Sequence, residues 1–140
     1  MISTRAWWRV ILWMMMSLIL LHTFGPALGR IEGNFYPVVR GTKIVTVTDD
    51  GLTSVFEGTT EKIRDCDFVS IRWFVGQYDG HSRSDAQLLI LERDKLRPAT
   101  AFEFGPWAVR LSESDLRTNS FAEVQHDCHA LFPTVTRFYP

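Results

Sequence analysis

The sequence predicts an all-β domain, an antiparallel β-sandwich of immunoglobulin-like architecture, preceded by one N-terminal hydrophobic helix. The helix is predicted by residues 10–21, which form an unbroken apolar run (VILWMMMSLILL). The sandwich is predicted by short segments rich in β-branched and aromatic residues, which recur about every eight to twelve residues behind that run. No long helical pattern interrupts them, and a segment of this size suits one domain with one core.

The hydrophobic segment divides the chain into two parts. It follows the basic residues Arg5 and Arg9, and from Val10 to Leu28 it has nineteen residues without a charge. A helix needs about 20 such residues to cross a bilayer, so we expect the lipid bilayer to be a partner of this chain, in contact with residues 7–28. Residues 1–29 are therefore predicted to be a membrane anchor or a signal peptide, and residues 30–140 an exported β-sandwich domain.

Anchoring and cleavage both remain open at this point. The Gly25-Pro26 pair is expected to break the helix, and small residues ending at Gly29 are of the kind that a signal peptidase reads. Retention is favoured by tryptophans near the start of the segment, where this residue type concentrates at a membrane interface (Trp7, Trp8 and Trp13). The predicted location is the bacterial inner membrane, with a single pass and a periplasmic C-terminal domain. If the chain is cleaved near Gly29, the domain is secreted.

Both cysteines lie beyond the hydrophobic segment. An even count in an exported domain predicts one disulfide bond, between Cys66 and Cys128. Closing a loop of that length stabilises a fold by roughly 4 kcal/mol in the chain-entropy treatment. The alternative is a pair of free thiols in a domain that stays in the cytosol.

Alternating β-branched and aromatic residues, separated by turn signals, place the individual strands. The strongest turn signal is 49–51 (DDG), and one helical turn is predicted at 112–116 (SESDL). The predicted strands are 31–37 as a tether or edge strand, 40–48, 52–57 with 59–64, 67–75, 86–92, 100–104, 107–111, 121–128 and 134–139.

Charge and motifs argue against several function classes. Residues 30–140 carry 13 basic and 16 acidic residues, a net charge of −3, so no strong positive field exists to attract nucleic acid. No nucleophile-elbow, zinc-protease or glycine-rich phosphate motif is present. We therefore expect neither an enzyme nor a resident cofactor.

One cluster contains metal-ligand residue types, at 126–129 (HDCH). His126 and His129 suggest an alternative function, an exported protein that binds a metal or a small ligand. A zinc site would need further ligands that the sequence does not offer at suitable spacing. If Cys128 is in the disulfide it cannot coordinate a metal, so the sequence favours surface histidines beside a disulfide.

Aromatic residues suggest one interaction surface. Phe104 and Trp107 bracket Gly105-Pro106, which is predicted to separate two strands, and they are the aromatics most expected to be exposed. Exposed aromatics on a sheet could bind a protein or a sugar. The alternative is that they belong to the core.

Segments 61–73 (EKIRDCDFVSIRW) and 120–139 (SFAEVQHDCHALFPTVTRFY) resemble short membrane or exported proteins of bacterial and prophage genomes. They cover 33 of the 140 residues and include both cysteines. No activity belongs to that group, so the resemblance implies no catalytic residue. The leading hypothesis is a small membrane-anchored or exported protein that acts by non-covalent interaction at the cell envelope, with an envelope protein as a possible partner.

Overall fold

The computed structural model describes residues 4–78, 80, 83–90, 97 and 99–140. In this part of the chain a long helix precedes eight strands and one short helix. The helices are α1 (Thr4–Phe35) and α2 (Glu113–Thr118). The strands are β1 (Val39–Asp49), β2 (Ser54–Lys62), β3 (Asp67–Val75), β4 (Ser84–Ala86), β5 (Leu88–Ile90), β6 (Ala101–Val109), β7 (Ser120–Asp127) and β8 (Thr134–Tyr139).

The strands form two antiparallel four-stranded sheets. The order is β1-β2-β6-β5 in the first sheet and β4-β3-β7-β8 in the second. Consecutive strands pair within each sheet through hairpins such as β1–β2 and β7–β8. The prediction of one hydrophobic helix followed by an antiparallel, mostly β-stranded domain is confirmed.

Aromatic side chains from both sheets meet in one core. The ring of Phe56 on β2 lies 5.0 Å from that of Trp73 on β3, and Phe104 on β6 lies 5.1 Å from Phe138 on β8. All four side chains are buried. The indole N–H of Trp73 donates a 3.0 Å hydrogen bond to Ser120 Oγ, so the one polar atom of this large buried ring is satisfied.

Two strand predictions differ from the structure in the region of β4 to β6. The predicted strands 100–104 and 107–111 are one strand, because residues on both sides of Gly105-Pro106 pair with β2. Gly105 has φ +103°, a conformation that glycine adopts without strain, and it sits where the register of the β2–β6 pairing shifts. The predicted strand 86–92 is divided between β4 and β5, and residues 91 and 92 lie outside the described part of the chain.

The predicted helix break at Gly25-Pro26 is wrong. Helix α1 has 32 residues, includes Pro26 in its interior, and also takes up residues 31–35, which were predicted to be extended. Proline removes one backbone hydrogen bond, a loss that packing on both sides of the proline can compensate. Here Gly25, before Pro26, packs against Phe132 in the loop that leads to β8, and Gly33, after it, packs against Val135 of β8. These contacts extend the helix beyond the apolar segment.

Candidate functional site

Close backbone packing, ion pairs and hydrogen bonds join the last third of α1 to β8 and the loops beside it. Three glycines four residues apart, Gly25, Gly29 and Gly33, are all buried. Residues at this spacing lie on one face of a helix, so the three form a continuous strip without side chains. We call Gly25, Gly29 and Gly33 the glycine face.

The glycine face brings the helix backbone against the backbone of the β8 region. A Cβ atom at Gly29 would overlap the carbonyl oxygen of Pro133, and one at Gly33 would overlap that of Val135. At Gly25 a Cβ would lie 3.4 Å from the Cβ of Phe132, which is an ordinary contact. The close approach therefore requires glycine at positions 29 and 33, whereas position 25 has room for alanine.

Glu32 connects the same turn of the helix to three other parts of the fold. Its Oε1 accepts a 3.0 Å hydrogen bond from Arg64 Nη2, and its Oε2 accepts one of 2.8 Å from Thr134 Oγ1. His129 Nε2 lies 2.9 Å from Oε2. Arg64 also donates to the carbonyl oxygen of Tyr36, just past the helix end. We call Glu32, Arg64, His129 and Thr134 the Glu32 cluster.

A second ion pair lies on the neighbouring side of the helix. The guanidinium of Arg30 contacts both carboxylate oxygens of Glu123 on β7 at 3.4 Å. The Glu123 side chain is only 7% exposed, and Arg83 Nη1 also lies 3.7 Å from it. A carboxylate this buried needs cationic partners, and one of them comes from α1.

The cysteine pair reinforces the junction. Cys66 in the β2–β3 loop and Cys128, the first residue after β7, lie at disulfide distance, with their Cα atoms 4.7 Å apart, as the sequence predicted. Arg64 is two residues from Cys66, and His129 follows Cys128 directly. The disulfide thus joins the two loops that supply partners to Glu32.

The two histidines of the predicted metal or ligand site have different environments. His126 is 3% exposed, lies edge-on to Phe68, and its Nδ1 has no hydrogen-bond partner among the residues that the structure describes. Burial, with a smaller effect from Lys62 and Arg64, lowers its pKa from 6.5 to about 4. His129 instead binds Glu32 near the surface.

No metal-binding arrangement joins these histidines. Across residues 4–78, 80, 83–90, 97 and 99–140, no group of three or more His, Cys, Asp and Glu side chains is placed to hold a metal ion. Cys128 is paired with Cys66. The structure therefore gives His126 a place in the interior and His129 a place in the Glu32 cluster.

The expectation that Phe104 and Trp107 are exposed is wrong. Phe104 is 2% exposed and Trp107 is 7% exposed. Both rings face the second sheet, and Phe138 lies 5.1 Å from Phe104 and 5.8 Å from Trp107. Because Gly105-Pro106 lies within β6 instead of ending it, the two residues belong to the core and form no interaction surface.

The sequence contained one unused signal for the junction. Glycines at positions 25, 29 and 33 have the four-residue spacing of one helix face. Because the helix was expected to end at Pro26, the three glycines were not assigned to one face. Glu32 and Arg30 gave no comparable signal, because their partners are distant in the sequence.

Comparisons with protein families, with curated proteins and with solved structures find no match to this chain. The resemblance of segments 61–73 and 120–139 to bacterial and prophage proteins stays a prediction.

Proposed function

We propose that this chain is a single-pass membrane protein of the bacterial inner membrane that holds a disulfide-linked β-sandwich outside the cytoplasm. The domain acts there by non-covalent interaction with an envelope component. The observation that carries the proposal is the continuity of α1, which is long and apolar enough to cross a membrane and runs without interruption into the junction with β8.

The length and surface of α1 support a bilayer span. Twenty residues without Asp, Glu, Lys or Arg separate Arg9 from Arg30. At a rise of 1.5 Å per residue they extend about 30 Å, the thickness of the hydrocarbon core. Residues 6–20 are all exposed in the structure, so nothing in the described protein covers this apolar surface. Lipid is the environment that suits a helix apolar on every side.

The junction favours a retained anchor over a cleaved signal peptide. Cleavage near Gly29 would cut the helix in the middle of the glycine face and separate Gly25 from Gly33. The new end would also lie beside Arg30, which neutralises the buried Glu123. A segment built to be discarded would not be expected to share such contacts with the mature domain.

The disulfide supports the orientation. Disulfide bonds persist in oxidising compartments and are rare in the cytosol. A single-pass protein with its first residues inside would place Cys66 and Cys128 outside, in the kind of compartment where a disulfide bond persists.

The strand order supports the immunoglobulin-like form of the sandwich. With β1 to β8 lettered A, B, C, C′, D, E, F and G in chain order, the two sheets read A-B-E-D and C′-C-F-G. This is the immunoglobulin arrangement with one added edge strand, C′. Trp73 occupies the core position on strand C. The disulfide departs from the usual pattern, because Cys66 and Cys128 lie in the loop before strand C and at the end of strand F.

The mass of the protein recovered from membranes tests the proposal. We expect the full-length chain, lighter by two hydrogens than its reduced form, in a membrane fraction that resists alkaline extraction. Blocking free thiols before lysis should add no mass. A chain beginning near Arg30, or a full-length soluble chain with two reactive thiols, would contradict it.

A further inference from the structure

The β7–β8 loop, residues 128–133, lies beside the apolar part of α1. The Cβ of Phe132 is within contact distance of Gly25. Leu21, one turn earlier on the same side of the helix, is the first residue of α1 that is partly covered, whereas residues 6–20 are all exposed. The loop therefore reaches back along the helix as far as Gly25.

This position places the loop tip beside the apolar segment of α1, on the N-terminal side of the point where that segment ends. The uncharged part of α1 ends at Gly29, and Arg30 follows. Gly25 is four residues before that end, which is about 6 Å along the helix axis. If residues 10–29 fill the hydrocarbon core, Phe132 lies at the depth where the outer leaflet's acyl chains begin.

The exposed side chains that directly precede Phe132 in the loop are apolar. Leu131 is 63% exposed, and the four residues 130–133 (ALFP) carry no charge. The polar end of the loop lies further along α1, because His129 binds Glu32, which is about two helical turns after Gly25. The loop thus changes from polar to apolar near the level where α1 does.

We propose that the tip of the β7–β8 loop inserts into the outer leaflet beside α1, with Leu131 in contact with acyl chains. This inference rests on the proposed membrane anchor. The occupant is the lipid bilayer, because the apolar tip is continuous with the apolar surface of the helix that spans it. An inserted loop held at its base by the disulfide and the Glu32 cluster would give the domain a second contact with the membrane and fix its tilt.

Quenching of tryptophan fluorescence by brominated lipids tests this insertion. The full-length protein is reconstituted in phosphatidylcholine vesicles whose acyl chains carry bromine near the headgroup end. The reporter is Leu131→Trp. The matched control is Leu52→Trp, because Leu52 is 81% exposed in the β1–β2 turn, roughly 30 Å along β1 from the junction.

The native tryptophans report in the same experiment whether α1 lies in the bilayer. Trp73 and Trp107 are buried in the domain, so quenching of the parent protein reports the tryptophans of α1, namely Trp7, Trp8 and Trp13. Subtracting the parent signal from that of each variant isolates the added tryptophan. Ala130→Trp, at an exposed position on the same loop, serves as a second reporter if Leu131→Trp alters the thermal unfolding curve.

We expect the added tryptophan at position 131 to emit at shorter wavelength than that at position 52 and to lose most of its emission to the brominated lipid. The tryptophan at position 52 should keep its emission. If both added tryptophans stay unquenched while the parent is quenched, the loop does not insert and the anchor stands. If the parent is also unquenched, α1 is not in the bilayer, and both proposals are wrong.

Discussion

At the scale of single residues, Gly33 decides how closely the helix and the β8 region can approach. A Cβ atom there would overlap the carbonyl oxygen of Val135, a backbone atom that cannot move aside alone. At Gly25 the nearest atom is at ordinary contact distance. The two glycines lie on the same helix face, but only position 33 excludes a Cβ atom.

We expect Gly33→Ala to destabilise the protein by about 1–3 kcal/mol, the usual range for forcing extra volume into a packed contact. Gly25→Ala is the matched control, and it should be neutral or slightly stabilising because alanine favours helix over glycine. Thermal unfolding in detergent measures both. Equal melting temperatures for the two variants would contradict the close approach at Gly33.

His126 makes the fold sensitive to acid. Burial holds its pKa at about 4, compared with 6.5 when it is unfolded, so the folded state binds fewer protons. Stability from the neutral ring is therefore complete above about pH 6.5 and is lost as the pH falls through 4. A difference of this size corresponds to roughly 3 kcal/mol at most. The charges that influence the ring, Lys62 and Arg64, are both cationic and oppose its protonation.

We expect His126→Phe to reduce the loss of stability between pH 7 and pH 4.5. Phenylalanine fills a similar volume next to Phe68 and cannot take up a proton. Urea unfolding of the parent and the variant at both pH values gives the comparison. A loss in the variant as large as that in the parent would show that other groups cause the acid sensitivity.

At the scale of elements, the strands were easier to predict than the helix end. Alternating β-branched residues mark β1, β3 and β8 locally, and the structure places these strands within a residue or two of their predicted bounds. The end of α1 was missed because local rules favoured a break at Pro26, whereas contacts with β8 extend the helix to Phe35. The burial of Phe104 was missed because the direction of a side chain depends on whether β6 continues through residue 105.

The Glu32 cluster is the element-scale contact most open to mutation. Glu32→Gln keeps the shape of the side chain and can keep a hydrogen bond to Thr134, but it removes the negative charge opposite Arg64 and His129. Because hydrogen bonds to charged groups contribute about 1.5–3 kcal/mol each, we expect a clear fall in melting temperature. Glu61→Gln is the control, since Glu61 pairs with Arg40 on the exposed surface and should matter little. Similar melting temperatures for both variants would show that Glu32 does not hold the junction.

At the scale of the whole molecule, distant parts of the chain meet at one end of the domain. Thr134 is 102 residues from Glu32, and Glu123 is 93 residues from Arg30. No local pattern contains such pairs, which is why the apolar segment and the cysteine pairing could be predicted from sequence and the long-range polar contacts of the junction could not. The prediction that Cys66 pairs with Cys128 depended only on the number of cysteines and on their expected compartment.

The disulfide and the Glu32 cluster should be energetically coupled. Replacing Cys66 and Cys128 together by serine should cost roughly 2–5 kcal/mol, the range for losing a native disulfide in a small exported domain. Part of that cost should be shared with Glu32, because the two loops then no longer hold Arg64 and His129 against it. Glu32→Gln should therefore destabilise the serine variant less than it destabilises the parent.

A double-mutant cycle measures this coupling from the unfolding free energies of the parent, the serine variant, Glu32→Gln and the combined variant. The same cycle with Glu61→Gln in place of Glu32→Gln should be additive, because Glu61 pairs with Arg40 on the exposed surface of the β1–β2 hairpin and is not a partner of Glu32, Arg64 or His129. Additive energies in the first cycle would mean that the disulfide stabilises the domain without positioning the loops for the helix. A coupling confined to Glu32 would show that the covalent link and the helix contact act as one unit in holding the β domain against α1.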